Sequence, residues 1–115
     1  MYRFSYAAVL EETPQTARER ERVAIEHSVE LLKAAEEKGT GSRECVEAIH
    51  FLRRLWSFLI EDLAKPENDL PKTLRADLIS VGLWIMRESE QVRIGESSNF
   101  RGLIEVSQLI SEGLR

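Results

Sequence analysis

The chain has 115 residues, a single-domain length at which folding buries roughly two-thirds of the unfolded surface. Its composition, 43% apolar and 31% charged, is that of a globular protein rather than a disordered one. A net charge of −4, from 16 basic and 20 acidic side chains, argues against a nucleic-acid binder, and a single cysteine rules out an intrachain disulfide.

The N-terminus, Met1-Tyr2-Arg3-Phe4-Ser5-Tyr6, lacks the apolar stretch and small-residue cleavage site of a signal peptide. No apolar run approaches the ~20 residues that span a bilayer. A cytoplasmic location with no membrane contact is expected. Tyr2, Phe4 and Tyr6 alternate with Arg3 and Ser5, but so short a segment forms no sheet without a partner strand. It reads as an aromatic arm laid on the rest of the fold, or as the start of a short helix through Leu10.

The first long helix follows Thr13-Pro14, a capping residue and a first-turn proline, and runs to Lys38. Gly39-Thr40-Gly41 ends it. Ala17, Ala24, Ile25, Leu31, Leu32 and Ala35 form one narrow stripe, which places this helix on the outside. The run Arg18-Glu19-Arg20-Glu21-Arg22 is a solvated face with ion pairs three and four residues apart. Ser42 caps a second helix that runs to about Lys65, just before Pro66. Ala48, Ile49, Leu52, Leu55, Trp56, Leu59 and Leu63 recur at helical steps, and Phe51, Phe58 and Ile60 widen the apolar arc. A helix this apolar is central and packed on at least two sides. Its polar strip is Glu47, His50, Arg54, Ser57 and Glu61.

A loop between Pro66 and Pro71 leads to a third helix ending near Ile94, with Leu74, Leu78, Val81, Ile85 and Val92 as its core stripe. Around Gly82-Leu83-Trp84-Ile85-Met86 the apolar residues span nearly the whole circumference. One side covers another element or stays available to a partner. After Gly95-Glu96-Ser97-Ser98-Asn99, with Asn99 as cap, a fourth helix from Phe100 to about Gly113 carries Phe100, Leu103, Ile104, Ile110 and Leu114 at helical spacing. The expected fold is all-α: a compact bundle of about four helices with a short N-terminal aromatic arm, forming one domain over residues 1–115.

No motif carries chemistry. Glu47-Ala48-Ile49-His50 places a carboxylate and an imidazole on one helix face, a unit that di-iron bundles use twice. Here it occurs once, on the polar strip, and His27 lacks the preceding glutamate. Cys45 and His50, five apart on one helix, point in different directions, and Cys45 continues the apolar stripe as a small buried filler. Adjacent residues such as Glu61 and Asp62 diverge by about 100° and do not converge on a substrate. Gly39-Thr40-Gly41-Ser42 has neither the preceding strand nor the lysine of a phosphate loop. Neither enzymatic activity, cofactor nor metal is expected. Trp56 reads as core. Trp84 serves either the core or an interface, since large aromatics do both.

Several strings in order carry a family resemblance: Tyr2-Arg3-Phe4-Ser5-Tyr6; Pro14-Gln15-Thr16-Ala17-Arg18-Glu19-Arg20-Glu21; Phe51-Leu52-Arg53-Arg54-Leu55-Trp56 with Glu61-Asp62-Leu63-Ala64; Pro66-Glu67-Asn68-Asp69-Leu70-Pro71 with Leu74-Arg75-Ala76-Asp77-Leu78-Ile79-Ser80 and Gly82-Leu83-Trp84-Ile85-Met86-Arg87-Glu88; and Asn99-Phe100-Arg101-Gly102-Leu103-Ile104-Glu105. Together they resemble the flagellar FlaF family of alphaproteobacteria over essentially the whole chain. The resemblance implies a cytoplasmic factor needed for flagellin production and filament assembly, acting with or opposite a second small regulator, FlbT. It implies both post-transcriptional regulation of flagellin synthesis and help with flagellin secretion through direct binding. It supplies no set of functional residues.

The expected partner is therefore flagellin, with FlbT as a further partner and no direct nucleic acid. The expected contact surface is the third helix at Trp84, Ile85 and Met86, with Tyr2, Phe4 and Tyr6 beside or over it. The loop at Glu67-Asn68-Asp69 is a second surface. Direct RNA binding, the alternative, would need a basic patch built from Arg53, Arg54, Arg75 and Arg87. A buried polar cluster around His27 or His50 would point to an enzyme.

Overall fold

Helix-forming runs divided by glycine, serine and proline give the architecture directly. The computed structural model describes residues 14–113. The expected aromatic arm with Tyr2, Phe4 and Tyr6, and the residues Thr13 and Leu114, lie outside them. Among the described residues there are four α-helices and no strand: α1 (Pro14–Lys38), α2 (Arg43–Ala64), α3 (Lys72–Arg93) and α4 (Phe100–Gly113).

The punctuation acts as its chemistry dictates. Gly39 and Gly41 adopt φ of 90° and 83°, a region that costs other residues strain, and so turn the chain within a few residues. Ser42 then caps α2: its hydroxyl oxygen accepts from the Cys45 N–H at 3.0 Å. The Asn99 side chain does the same for α4, accepting from the Gly102 N–H at 3.0 Å. At the other end of α2 the Arg75 guanidinium reaches back from α3. It donates to the carbonyls of Leu63 and Lys65, both at 2.9 Å, and so satisfies acceptors that a helix end leaves open. Asn68 fastens the intervening loop by donating to the Asp62 carbonyl at 3.2 Å.

The apolar arcs set the packing. α2 lies between α1 and α3, α1 carries α4 on its other side, and α3 and α4 barely touch. Among the described residues the helices therefore run α4, α1, α2, α3, in a row rather than a ring. The core is built from Leu32, Leu52, Trp56, Ile85, Leu103 and Ile104, all essentially inaccessible, with Phe100 and Val92 beside them. Trp56, expected in the core, is 1% exposed.

Two expectations are corrected. α1 is not an outer helix. It buries Ile25, Ser28, Val29, Leu32 and Ala35 because it sits between α2 and α4. Ser28 hides this from a reading of apolar residues alone. Its hydroxyl donates to the Ile25 carbonyl at 2.6 Å, and that bond is what allows a polar side chain into the core. Leu74, expected in the core stripe of α3, is 43% exposed. Among the described residues α2 is the only element against which α3 packs extensively, and the buried strip of α3 narrows to Gly82, Ile85, Ser89 and Val92.

Gly82 sets how closely α3 approaches α2. A Cβ at this position would lie 2.8 Å from Trp56 Cε3 and 2.8 Å from Ile60 Cγ1, inside van der Waals contact. The missing side chain is thus the space that the indole and the isoleucine fill. Substituting Gly82→Ala raises helix propensity by ~1 kcal/mol but forces overpacking that costs ~1–3 kcal/mol. Urea denaturation should show a lower midpoint for the variant despite its better helix former. A midpoint equal to or above wild type would show that α2 and α3 are not held at this distance by the glycine. Trp56→Ala should cost ~3–5 kcal/mol in the same assay.

Candidate functional site

The close approach at Gly82 brings the sides of α2 and α3 together but does not fill the space along one flank. There they enclose an open groove of about 720 Å³. Successive turns of α2 supply one wall, from Cys45 to Ser57. Met86 and Arg93 of α3 supply the other, two turns apart on one face of that helix. Val46, Ile49 and Met86 make its apolar surface. Ile49 is buried, Met86 is half-buried, and Val46 is 65% exposed, an unusual state for a valine on the wall of a concavity.

Among the described residues, the charged ones lining the groove are all basic: Arg53, Arg54 and Arg93. Two of them are engaged. Arg53 donates to the Met86 carbonyl at 2.7 Å and to the Ser89 hydroxyl at 3.1 Å, and its guanidinium lies 3.6 Å from Glu90. It clamps α2 to α3 across the groove. Arg93 makes a two-pronged contact with Glu90, at 2.8 and 2.6 Å. Arg54, exposed, makes no hydrogen bond or ion pair among the described residues. His50 is exposed on the same wall.

The Trp84-Ile85-Met86 trio does not form one surface. Successive helical residues diverge by about 100°. Ile85 is fully buried in the core and offers nothing to a partner. Met86 faces the groove, whereas Trp84 packs on the core from the other flank of α3, half-buried. Leu83, not singled out from the sequence, is the exposed apolar residue of this stretch at 52%. Nor do Arg53, Arg54, Arg75 and Arg87 make one basic patch. Arg53 and Arg75 are both hydrogen-bonded to backbone carbonyls, Arg75 at the C-terminal end of α2 and Arg53 at the C-terminal half of α3.

Glu47 and His50 are both exposed, and among the described residues no group of three or more His, Cys, Asp or Glu is placed to hold a metal ion. His27 is exposed and meets the Phe51 ring edge-on at 4.9 Å, which is a packing contact between α1 and α2. Cys45 is buried at the N-terminal end of the groove. No helix among the described residues is long and apolar enough to cross a membrane.

Glu90 is the electrostatic hinge of the groove. The hydrogen bonds from Arg93 outweigh the opposing effect of burial and, with the weaker pull of the Arg93 and Arg53 charges, hold its carboxyl below the ordinary value of 4.5. A depressed folded-state value means that the stabilisation is complete above the ordinary value and is lost as pH falls through the depressed one. Glu90→Gln should therefore flatten part of the acid limb of stability. Wild type should lose more melting temperature than the variant between about pH 5 and pH 3. Parallel curves would show that Glu90 does not bridge the two arginines in solution.

Comparison with curated proteins and with solved structures gives no match. Comparison with family models gives one that spans nearly the whole chain: the model described as Flagellar protein FlaF matches residues 2–114, and the protein therefore belongs to the FlaF family.

Proposed function

We propose that this flagellar protein binds flagellin and supports its synthesis, stability and secretion in the manner of a chaperone. The observation that supports this reading is the groove between α2 and α3. It is open and elongated, with Val46, Ile49 and Met86 along it. A groove of this kind suits an amphipathic helix that lays its apolar face into it. Flagellin as the partner comes from the family resemblance, and the shape and lining of the groove support reading it as the docking surface. Methionine at such a surface adapts to more than one apolar contour.

The alternative is a post-transcriptional regulator of flagellin expression acting through RNA or through FlbT. What favours it is the basic lining of the groove, which would also accept phosphate. The net charge of −4 weighs against messenger RNA as the direct ligand.

Isothermal titration of the purified protein with its cognate flagellin tests the reading. Saturable binding is expected. Val46→Glu, a change at an exposed position, should weaken it at least ~10-fold, about 1.4 kcal/mol. Leu109→Glu on α4, at a residue 68% exposed and outside the groove, should leave it unchanged. No binding to flagellin, together with binding to FlbT or to flagellin messenger RNA, would replace the proposal with the alternative.

A further inference from the structure

The groove carries more information than its shape, because its charge differs from that of the chain around it. Among the described residues three arginines line it and no carboxylate does, on a protein whose net charge is −4. Glu90, lying between Arg53 and Arg93, offsets part of the positive charge on one wall. Glu47, on the same helix as Arg54, is taken up by Arg43 at 3.2 Å. Arg54 is left as an exposed cation with no partner among the described residues. From this arrangement we infer that the groove selects an acidic amphipathic helix: an apolar stripe seated on Val46 and Met86, above the buried Ile49, and a flank of carboxylates set against Arg54. The inference rests on reading the groove as a docking site, and it holds for any partner segment with this pattern.

The dimensions limit the occupant. From Cys45 to Ser57 the wall is about 18 Å long at 1.5 Å per residue. That admits a partner helix of roughly three turns, or about 12 residues. Arg54 is suited to the recognition because its planar guanidinium can take a carboxylate through two parallel hydrogen bonds. Arg53 is not free for the same task, since it already holds Met86 and Ser89. Arg54 therefore decides charge preference, and Arg53 keeps the two walls in place.

A single-stranded nucleic acid matches these features less well. Proteins that hold single strands stack bases on aromatic rings, and no Phe, Tyr or Trp among the described residues lines the groove. The apolar residues along it would face a polar backbone. A second copy of the chain would have to present its own acidic helix face, and a concentration-dependent change in mass would report it.

Two helical peptides of about 18 residues, or five turns, test the inference. They share one leucine stripe, flanked in one by glutamate and in the other by lysine. Amide shifts are mapped on the isotope-labelled full chain. The glutamate peptide should move residues 45–57 and 86–93, and its affinity should fall several-fold between ~50 and ~300 mM salt, as a partly exposed charge contact does. Arg54→Glu should weaken it at least ~10-fold and favour the lysine peptide, because the repulsive element now faces the other way. Arg87→Glu, a change outside the groove, should do neither.

Equal binding of both peptides would overturn the inference. So would shifts centred on Leu83 and Trp84, indifference to Arg54→Glu, binding of neither peptide, a concentration-dependent mass with the groove closed by a second copy, or a short single-stranded RNA that displaces the glutamate peptide. The flagellin reading fails separately. Glutamate-peptide binding without flagellin binding would refute flagellin and leave the groove's preference standing. Flagellin binding that neither Val46→Glu nor Arg54→Glu weakens would do the reverse.

Discussion

The contact between Gly82 and Trp56 is the constraint on which the rest of the structure turns. A hydrogen in place of a methyl group lets α3 press its backbone toward the indole, with Ile60 filling the adjacent space. That closeness fixes the spacing of α2 and α3 at the middle of both helices. On one side of the contact Arg75 ties α3 to the last carbonyls of α2. On the other, Arg53 ties α2 to Met86 and Ser89. The groove is what remains when two helices, pinned in this way, run on past the contact with an exposed valine and a half-buried methionine on their facing sides.

The helices themselves were legible in the sequence because their ends are marked by local chemistry. Ser42 and Asn99 cap with their own side chains, and Gly39 and Gly41 take up positive φ, so no distant contact is needed to predict them. Central placement of α2 followed from the width of its apolar arc. The position of α1 did not follow in the same way. Its inward face includes Ser28, and a serine bonded to a carbonyl of its own helix is counted as polar in any pattern but behaves as a small core residue. Ser89 repeats the effect in α3, with its hydroxyl donating to the Met86 carbonyl.

The site was less legible, because it belongs to a pair of helices rather than to either one. Trp84, Ile85 and Met86 form an apolar string in sequence, yet the helical turn sends one to the outer flank, one to the core and one to the groove. Arg53 and Arg54 look alike in the sequence. Adjacent on one helix, they point about 100° apart, so one reaches α3 and becomes a structural clamp while the other has no partner among the described residues. Val46 belongs to no stripe in the sequence reading and joins the site only because Met86 of α3 lies across from it. No feature of a single helix announces these roles.

The protein is a flagellar protein by its membership of the FlaF family, and the groove is the feature on which its proposed binding role rests. Its apolar floor and basic wall suit a helical segment that would otherwise expose an apolar face before assembly. Hydrogen–deuterium exchange of the protein with and without cognate flagellin tests this account most directly, since it reports where the partner sits without any substitution. Added flagellin should slow exchange along residues 45–57 and 86–93 and leave the outer face of α4 unchanged. Slower exchange confined to α1 and α4, or none anywhere under conditions where the two proteins bind, would contradict it.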